Sequence, residues 1–141
     1  MIQAWYEGHT ETPVTVTTGA ELDAVLDDVV KAGAPQLVQF LTEGDVRKPH
    51  MDVGLNGERG TLRYAGEGLP SVSYSKNTGT PYPLPEGDEV IYYLDRADFY
   101  YPDDAEIPAT DARAAAHEFL ASAGARPTNV EWTDEQAPPT A

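Results

Sequence analysis

Apolar side chains recur along this chain with two different periods. Leu22, Val25, Leu26, Val29 and Val30 follow one another at i, i+3, i+4, i+7 and i+8, which places them on one stripe of a helix. Thr18-Gly19-Ala20-Glu21 opens that helix with a capping-box pattern, and Gly33 stops it. A second stripe, Ala112, Ala115, Ala116, Phe119, Leu120 and Ala123, predicts another helix, capped by Thr110 or Asp111 and ended by Gly124. Elsewhere the period is two or the apolar run is short. Ile2–Tyr6, Val14–Val16, Leu37–Leu41, Ser71–Tyr74, Val90–Leu94 and Asn129–Trp132 read as strands. Val90–Leu94 is the most β-prone of these and is expected near the centre of a sheet.

The stretch Met51–Tyr64 alternates on both sides of a break rich in glycine and asparagine, and it predicts a β-hairpin. Its three glycines, Gly54, Gly57 and Gly60, also invite comparison with a phosphate-binding loop. No Gly-Lys-Ser/Thr follows, and Thr61-Leu62-Arg63-Tyr64 continues as strand rather than helix. The glycines are therefore expected at turn or bulge positions with positive φ. Consecutive strands joined by short turns, with two helices far apart in sequence, predict an α+β domain. Its sheet is mainly antiparallel, with about 6–8 strands and the two helices packed on it. Residues 1–133 are expected to form the single domain and 134–141 a disordered tail. The charged turn Glu43–Pro49 and the loops at 75–87 and 95–109 complete the predicted outline.

Composition narrows the chemistry. The chain has 141 residues, no cysteine, and 9 Lys+Arg against 24 Asp+Glu, a net charge of −15. Disulfides, thiolate metal sites and cysteine nucleophiles are excluded, and nucleic acid and anionic membranes are repelled. The start, Met-Ile-Gln-Ala-Trp-Tyr, lacks a signal-peptide pattern, so a soluble cytoplasmic protein is expected. His9, His50 and His117 have no metal-ligand spacing; His117-Glu118 opens like a helical zinc motif, but Ala121 stands where the second histidine belongs. No G-x-S-x-G elbow is present. No catalytic residue, cofactor or metal is expected, and the chain reads as a binding protein rather than an enzyme.

The acid is not spread evenly. Between Glu86 and Glu106 stand eight acids (Glu86, Asp88, Glu89, Asp95, Asp98, Asp103, Asp104 and Glu106) against Arg96 alone, a net of −7. Tyr92, Tyr93, Phe99, Tyr100 and Tyr101 lie in the same window. Aromatic side chains carry much of the energy of protein interfaces, and surrounding charge sets association rate and partner choice. The expected contact residues are Tyr93, Asp95, Asp98, Phe99, Tyr100, Tyr101, Asp103 and Asp104. Against this stands the simpler role of Phe99 and Tyr101 as pins holding a long loop to the core. The two roles are compatible if alternate residues face in and out.

Three pieces taken together carry a family resemblance. The hairpin Val53–Tyr64, the strand Val90-Ile91-Tyr92-Tyr93, and the ending Ala115-Ala116-His117-Glu118-Phe119-Leu120 through Arg126-Pro127 to Val130-Glu131-Trp132 resemble the Imm-one family of immunity proteins, over roughly residues 35–133. The resemblance implies a bacterial antitoxin from a polymorphic toxin system, acting in the cytoplasm of the producing cell. It implies one-to-one binding to a cognate toxin domain, often a DNA-directed deaminase, and occlusion of the toxin's active site. Such a partner would be basic, and an acidic, aromatic surface suits it. An acidic mimic of nucleic acid directed at a nuclease toxin, or a sheet domain binding a small ligand, are the alternatives. A pocket shared by Tyr92, Asp95 and His117 would favour the last. Gly54, Gly57, Gly60, Arg126, Pro127 and Trp132 are expected to serve the fold rather than the partner.

Overall fold

A computed structural model of the chain describes residues 2–9, 11–42, 49–66, 72–80, 82–83, 89–94 and 97–134. The elements run β1 (Ile2–Trp5), β2 (Val14–Val16), α1 (Gly19–Lys31), β3 (Gln36–Thr42), β4 (His50–Asn56), β5 (Arg59–Ala65) and β6 (Ser73–Lys76). They continue with β7 (Val90–Leu94), β8 (Ala97–Tyr101), β9 (Ile107–Pro108), α2 (Ala109–Ala121) and β10 (Glu131–Asp134). The fold is α+β, with two helices on a mostly antiparallel open sheet. Seven strands lie in the order β10-β6-β5-β4-β3-β1-β2. The β7–β8 hairpin joins through a single parallel bridge, Gln36 to Tyr93, and β9 pairs with the start of β5. The strand count exceeds the six to eight expected because β8 and β9 fall inside the stretch 95–109 that reads as loop. The charged turn at 43–48, Ser71, part of the loop at 75–87, and residues 135–141 of the expected tail lie outside the described residues.

The central hairpin forms as its alternation predicts. β4 and β5 pair from His50↔Ala65 to Asn56↔Arg59, around a two-residue turn at Gly57-Glu58. Of its three glycines only Gly57 has positive φ, 63°. Gly54 and Gly60 serve packing instead, which corrects the turn-or-bulge expectation for both. A Cβ on Gly60 would strike the Gly54 carbonyl and come 3.2 Å from the Ala112 side chain of α2. One on Gly54 would sit 2.5 Å from Thr61 Oγ1 and 2.6 Å from the Tyr92 ring of β7.

Those two glycines mark opposite faces of the sheet. Met51, Val53, Leu55, Leu62 and Tyr64 face the helices and are buried there with Leu22, Leu26 and Phe119. Asp52, Gly54 and Thr61 face the other way, beneath the β7–β8 hairpin. The molecule is thus three layers, helices, sheet and hairpin.

The helix starts differ in kind. Thr18 Oγ1 accepts from the Glu21 amide at 3.1 Å, and Glu21 Oε1 accepts from the Thr18 amide at 3.1 Å, so α1 carries the predicted capping box. α2 does not use Thr110 or Asp111 as cap. It begins after Pro108 without a side-chain cap, and the Ala109 amide donates to Glu58 O at 2.8 Å, in the turn of the central hairpin. Its far end is tied by the predicted C-terminal residues. Trp132 Nε1 donates to Pro127 O at 2.9 Å, and the Arg126 guanidinium lies 5.7 Å from the Trp132 ring and donates to Ser73 Oγ at 3.0 Å. Trp132 packs edge-on against Tyr64, which in turn meets Phe119 of α2 and donates to Gly124 O at 2.7 Å.

Candidate interaction surface

Within the acidic, aromatic window the described residues 90–94 and 97–101 form a two-stranded ribbon, although 97–101 reads as loop in the sequence. Ala97–Tyr101 pairs antiparallel with Val90–Leu94, in register Leu94↔Ala97, Tyr93↔Asp98, Tyr92↔Phe99, Ile91↔Tyr100 and Val90↔Tyr101. Alternation then sorts the side chains. Val90, Tyr92, Leu94 and Tyr101 are buried and Phe99 is half-buried against the core. Tyr93, Asp98 and Tyr100 point away from the molecule, and Tyr100 is 58% exposed. Pinning and presentation coexist on alternate residues of one strand.

The expected contact residues therefore divide. Tyr93, Asp98 and Tyr100 share the outer face of the ribbon. Asp103 and Asp104 are exposed in the turn that follows, which the Ala105 amide closes by donating to Pro102 O at 3.0 Å. Asp104 O accepts from the Asn77 amide at 2.8 Å, fixing that turn to the chain after β6. Tyr101 faces inward at 7% exposure and supports the surface from beneath. Asp95 lies outside the described residues, as do Glu86, Asp88 and Arg96. Glu89 is exposed with the others, whereas Glu106 is buried and belongs to the support.

That support was not legible as such in the sequence. The Tyr92 hydroxyl donates to Glu106 Oε2 at 2.8 Å, and Arg59 Nε stands 3.4 Å from the same oxygen. Burial, then the facing Glu106 carboxylate, push the Tyr92 phenol well above its usual range, so it stays a donor. Beneath Tyr101 lies Asp52, fully buried, with Gln39 its register partner on β3 and Arg63 Nη1 3.7 Å away. Desolvation raises the Asp52 pKa, against the opposing pull of Arg63, His50 and a hydrogen bond from Gln39. Burial raises the Tyr101 phenol as well, with Asp52 adding to it. The hydroxyls of Thr61 and Tyr101 are buried beside each other in the same cluster. A sequence offers no signal for such a cluster, because Asp52 sits in an ordinary alternating strand.

The other charged constellation joins the helices. Asp23 of α1 accepts from His117 Nε2 at 2.8 Å and from Arg113 Nη2 at 3.3 Å, and Asp27 accepts from Arg113 Nη2 at 2.8 Å. The His117 bond chiefly, with Arg113 assisting, lowers the Asp23 pKa. His117 stands on α2 and Tyr92 on the opposite face of the sheet, so the two do not line one pocket. Among the described residues no group of three or more His, Asp or Glu side chains is placed to hold a metal ion.

Fold and surface together define a class: a small, strongly acidic α+β domain that presents a braced aromatic ribbon. The particular family follows from comparison with known proteins. The sequence profile of the family described as Immunity protein Imm1 matches residues 10–134, most of the chain. The chain belongs to that family and is an immunity protein. No curated protein matches it. No helix among the described residues is long and apolar enough to cross a membrane.

Proposed function

We propose that this immunity protein neutralises its cognate secreted toxin by stoichiometric binding, without catalysis, through the outer face of the β7–β8 ribbon. The observation that carries this reading is the sorting of the window. Its inward residues lock the ribbon to the sheet, while Tyr93, Asp98 and Tyr100 stand outward beside Asp103 and Asp104. A rigid aromatic patch gives affinity with little ordering cost, and the acids around it steer a basic partner.

The toxin that fits is basic around its site, as a nucleic-acid deaminase must be to hold DNA. The ribbon would cover its cleft and keep nucleic acid out, in the cytoplasm of the producing cell. Binding is one-to-one by a single domain, with no cofactor. The test is coexpression with the C-terminal domain encoded by the neighbouring upstream reading frame. The expected result is rescue of growth and recovery of a one-to-one complex by gel filtration. Full toxicity together with two separate peaks is the result that refutes it.

A further inference from the structure

Beyond presenting side chains, β8 has an open edge. It pairs with β7 and with no other strand among the described residues. Which backbone groups face that edge follows from one hydrogen bond. The Tyr93 amide donates to Pro35 O at 3.0 Å, toward β3 and away from β8. Tyr93 and its register partner Asp98 are then a non-hydrogen-bonded pair of the antiparallel ladder. The N–H and C=O of Asp98 turn away from β7, and by alternation so do those of Tyr100, two residues on. Phe99 and Tyr101 spend their backbone groups on β7. The outward side chains Asp98 and Tyr100 thus belong to residues whose backbone faces the edge away from β7, where no strand among the described residues pairs with it.

An open edge is a hazard that proteins commonly blunt with charge, and the outward Asp98 is well placed to prevent pairing between two copies of a chain of charge −15. Blunting does not account for Tyr100, a large aromatic side chain left 58% exposed on the same edge. Self-pairing would bring the acids at this edge, Asp98, Asp103 and Asp104, up to the acids of a second equally charged copy. A basic strand would instead meet them with opposite charge.

We propose that the toxin docks by adding a strand to the open edge of β8. An extended, basic segment of the toxin hydrogen-bonds to the backbone of Asp98 and Tyr100, its cationic side chains opposite Asp98 and its longer side chains against Tyr100. This rests on the functional reading above and adds to it the mode of contact and the chemistry of the partner segment. Main-chain pairing supplies a register that side-chain contacts alone would not.

Amide exchange followed residue by residue by NMR separates the two. The probe is the C-terminal domain encoded by the upstream frame. In the free protein the amides of Asp98 and Tyr100 exchange fast while those of Phe99 and Tyr101 are protected. In the complex, Asp98 and Tyr100 slow at least tenfold, and intermolecular contacts appear at the Phe99 Hα, which faces the open edge. A complex that forms while those two amides keep their free rates overturns strand addition and leaves the functional reading standing. Slowing without contacts at the Phe99 Hα means mere covering and also overturns it. Absence of any complex removes both. Y100P and Y100A provide a second arm: Y100P, which lacks the edge N–H as well as the ring, binds at least tenfold more weakly than Y100A. Equal affinity of two folded variants counts against the proposal.

Discussion

Gly54 and Gly60 are required by what lies above and below the sheet, not by their own backbone. Replacing Gly54 by Ala presses a methyl group into Thr61 and the Tyr92 ring, and overpacking of that kind costs about 1–3 kcal/mol. G60A is expected to cost at least as much, because the nearest obstacle is the Gly54 backbone carbonyl rather than a side chain that can turn. G57A meets open space and carries only the penalty of positive φ, about 1–2 kcal/mol. Urea unfolding of the three variants checks this order. Asp52 makes a separate prediction. Its pKa is raised in the fold above the ordinary 3.8, so the unfolded chain releases this proton first. The Asp52 contribution is therefore fully present below about the ordinary value and is lost as pH rises through the folded value. The difference in unfolding free energy between D52N and the natural protein should grow with pH over that window, in favour of D52N. A difference that is flat, or that shrinks, would mean the carboxylate is ionised and well paired with Arg63.

At the scale of elements, what the sequence shows well is what is decided locally. The first helix carries its stripe and its cap within fifteen or so residues, and both are as expected. T18A should lower stability by about 1 kcal/mol, measured by thermal or urea unfolding, because the exposed turn loses its N-cap acceptor. The second helix was legible by its alanine stripe but not by its start, because its first amide is answered by Glu58, about fifty residues earlier in the chain. β8 was hidden for a related reason. Ala97-Asp98-Phe99-Tyr100-Tyr101 alternates over too short a span and is followed by Pro102-Asp103-Asp104, so it reads as loop. Only the pairing with β7 makes it a strand. The candidate surface was legible as a concentration of acid and aromatic side chains. Which of them face outward was not, since that depends on Tyr101 meeting Tyr92 and Tyr74 beneath the ribbon.

At the scale of the molecule, the helices brace one face of the sheet and leave the other to the ribbon. The ribbon is held at three places: the bridge from Gln36 to Tyr93, the buried Tyr92–Glu106–Arg59 group, and the Asp104–Asn77 bond. An overall charge of −15 draws a basic partner from a distance, so association should slow with added salt while dissociation changes less. The outer face of the ribbon is where that partner is expected to be met. The direct measurement is the affinity of the triple variant Y100A/D103N/D104N for the toxin domain, beside that of the natural protein. All three side chains are exposed, so unfolding should be unchanged while binding weakens about a hundredfold, a loss of about 3 kcal/mol. Affinity equal to that of the natural protein would mean that the toxin is met by another surface.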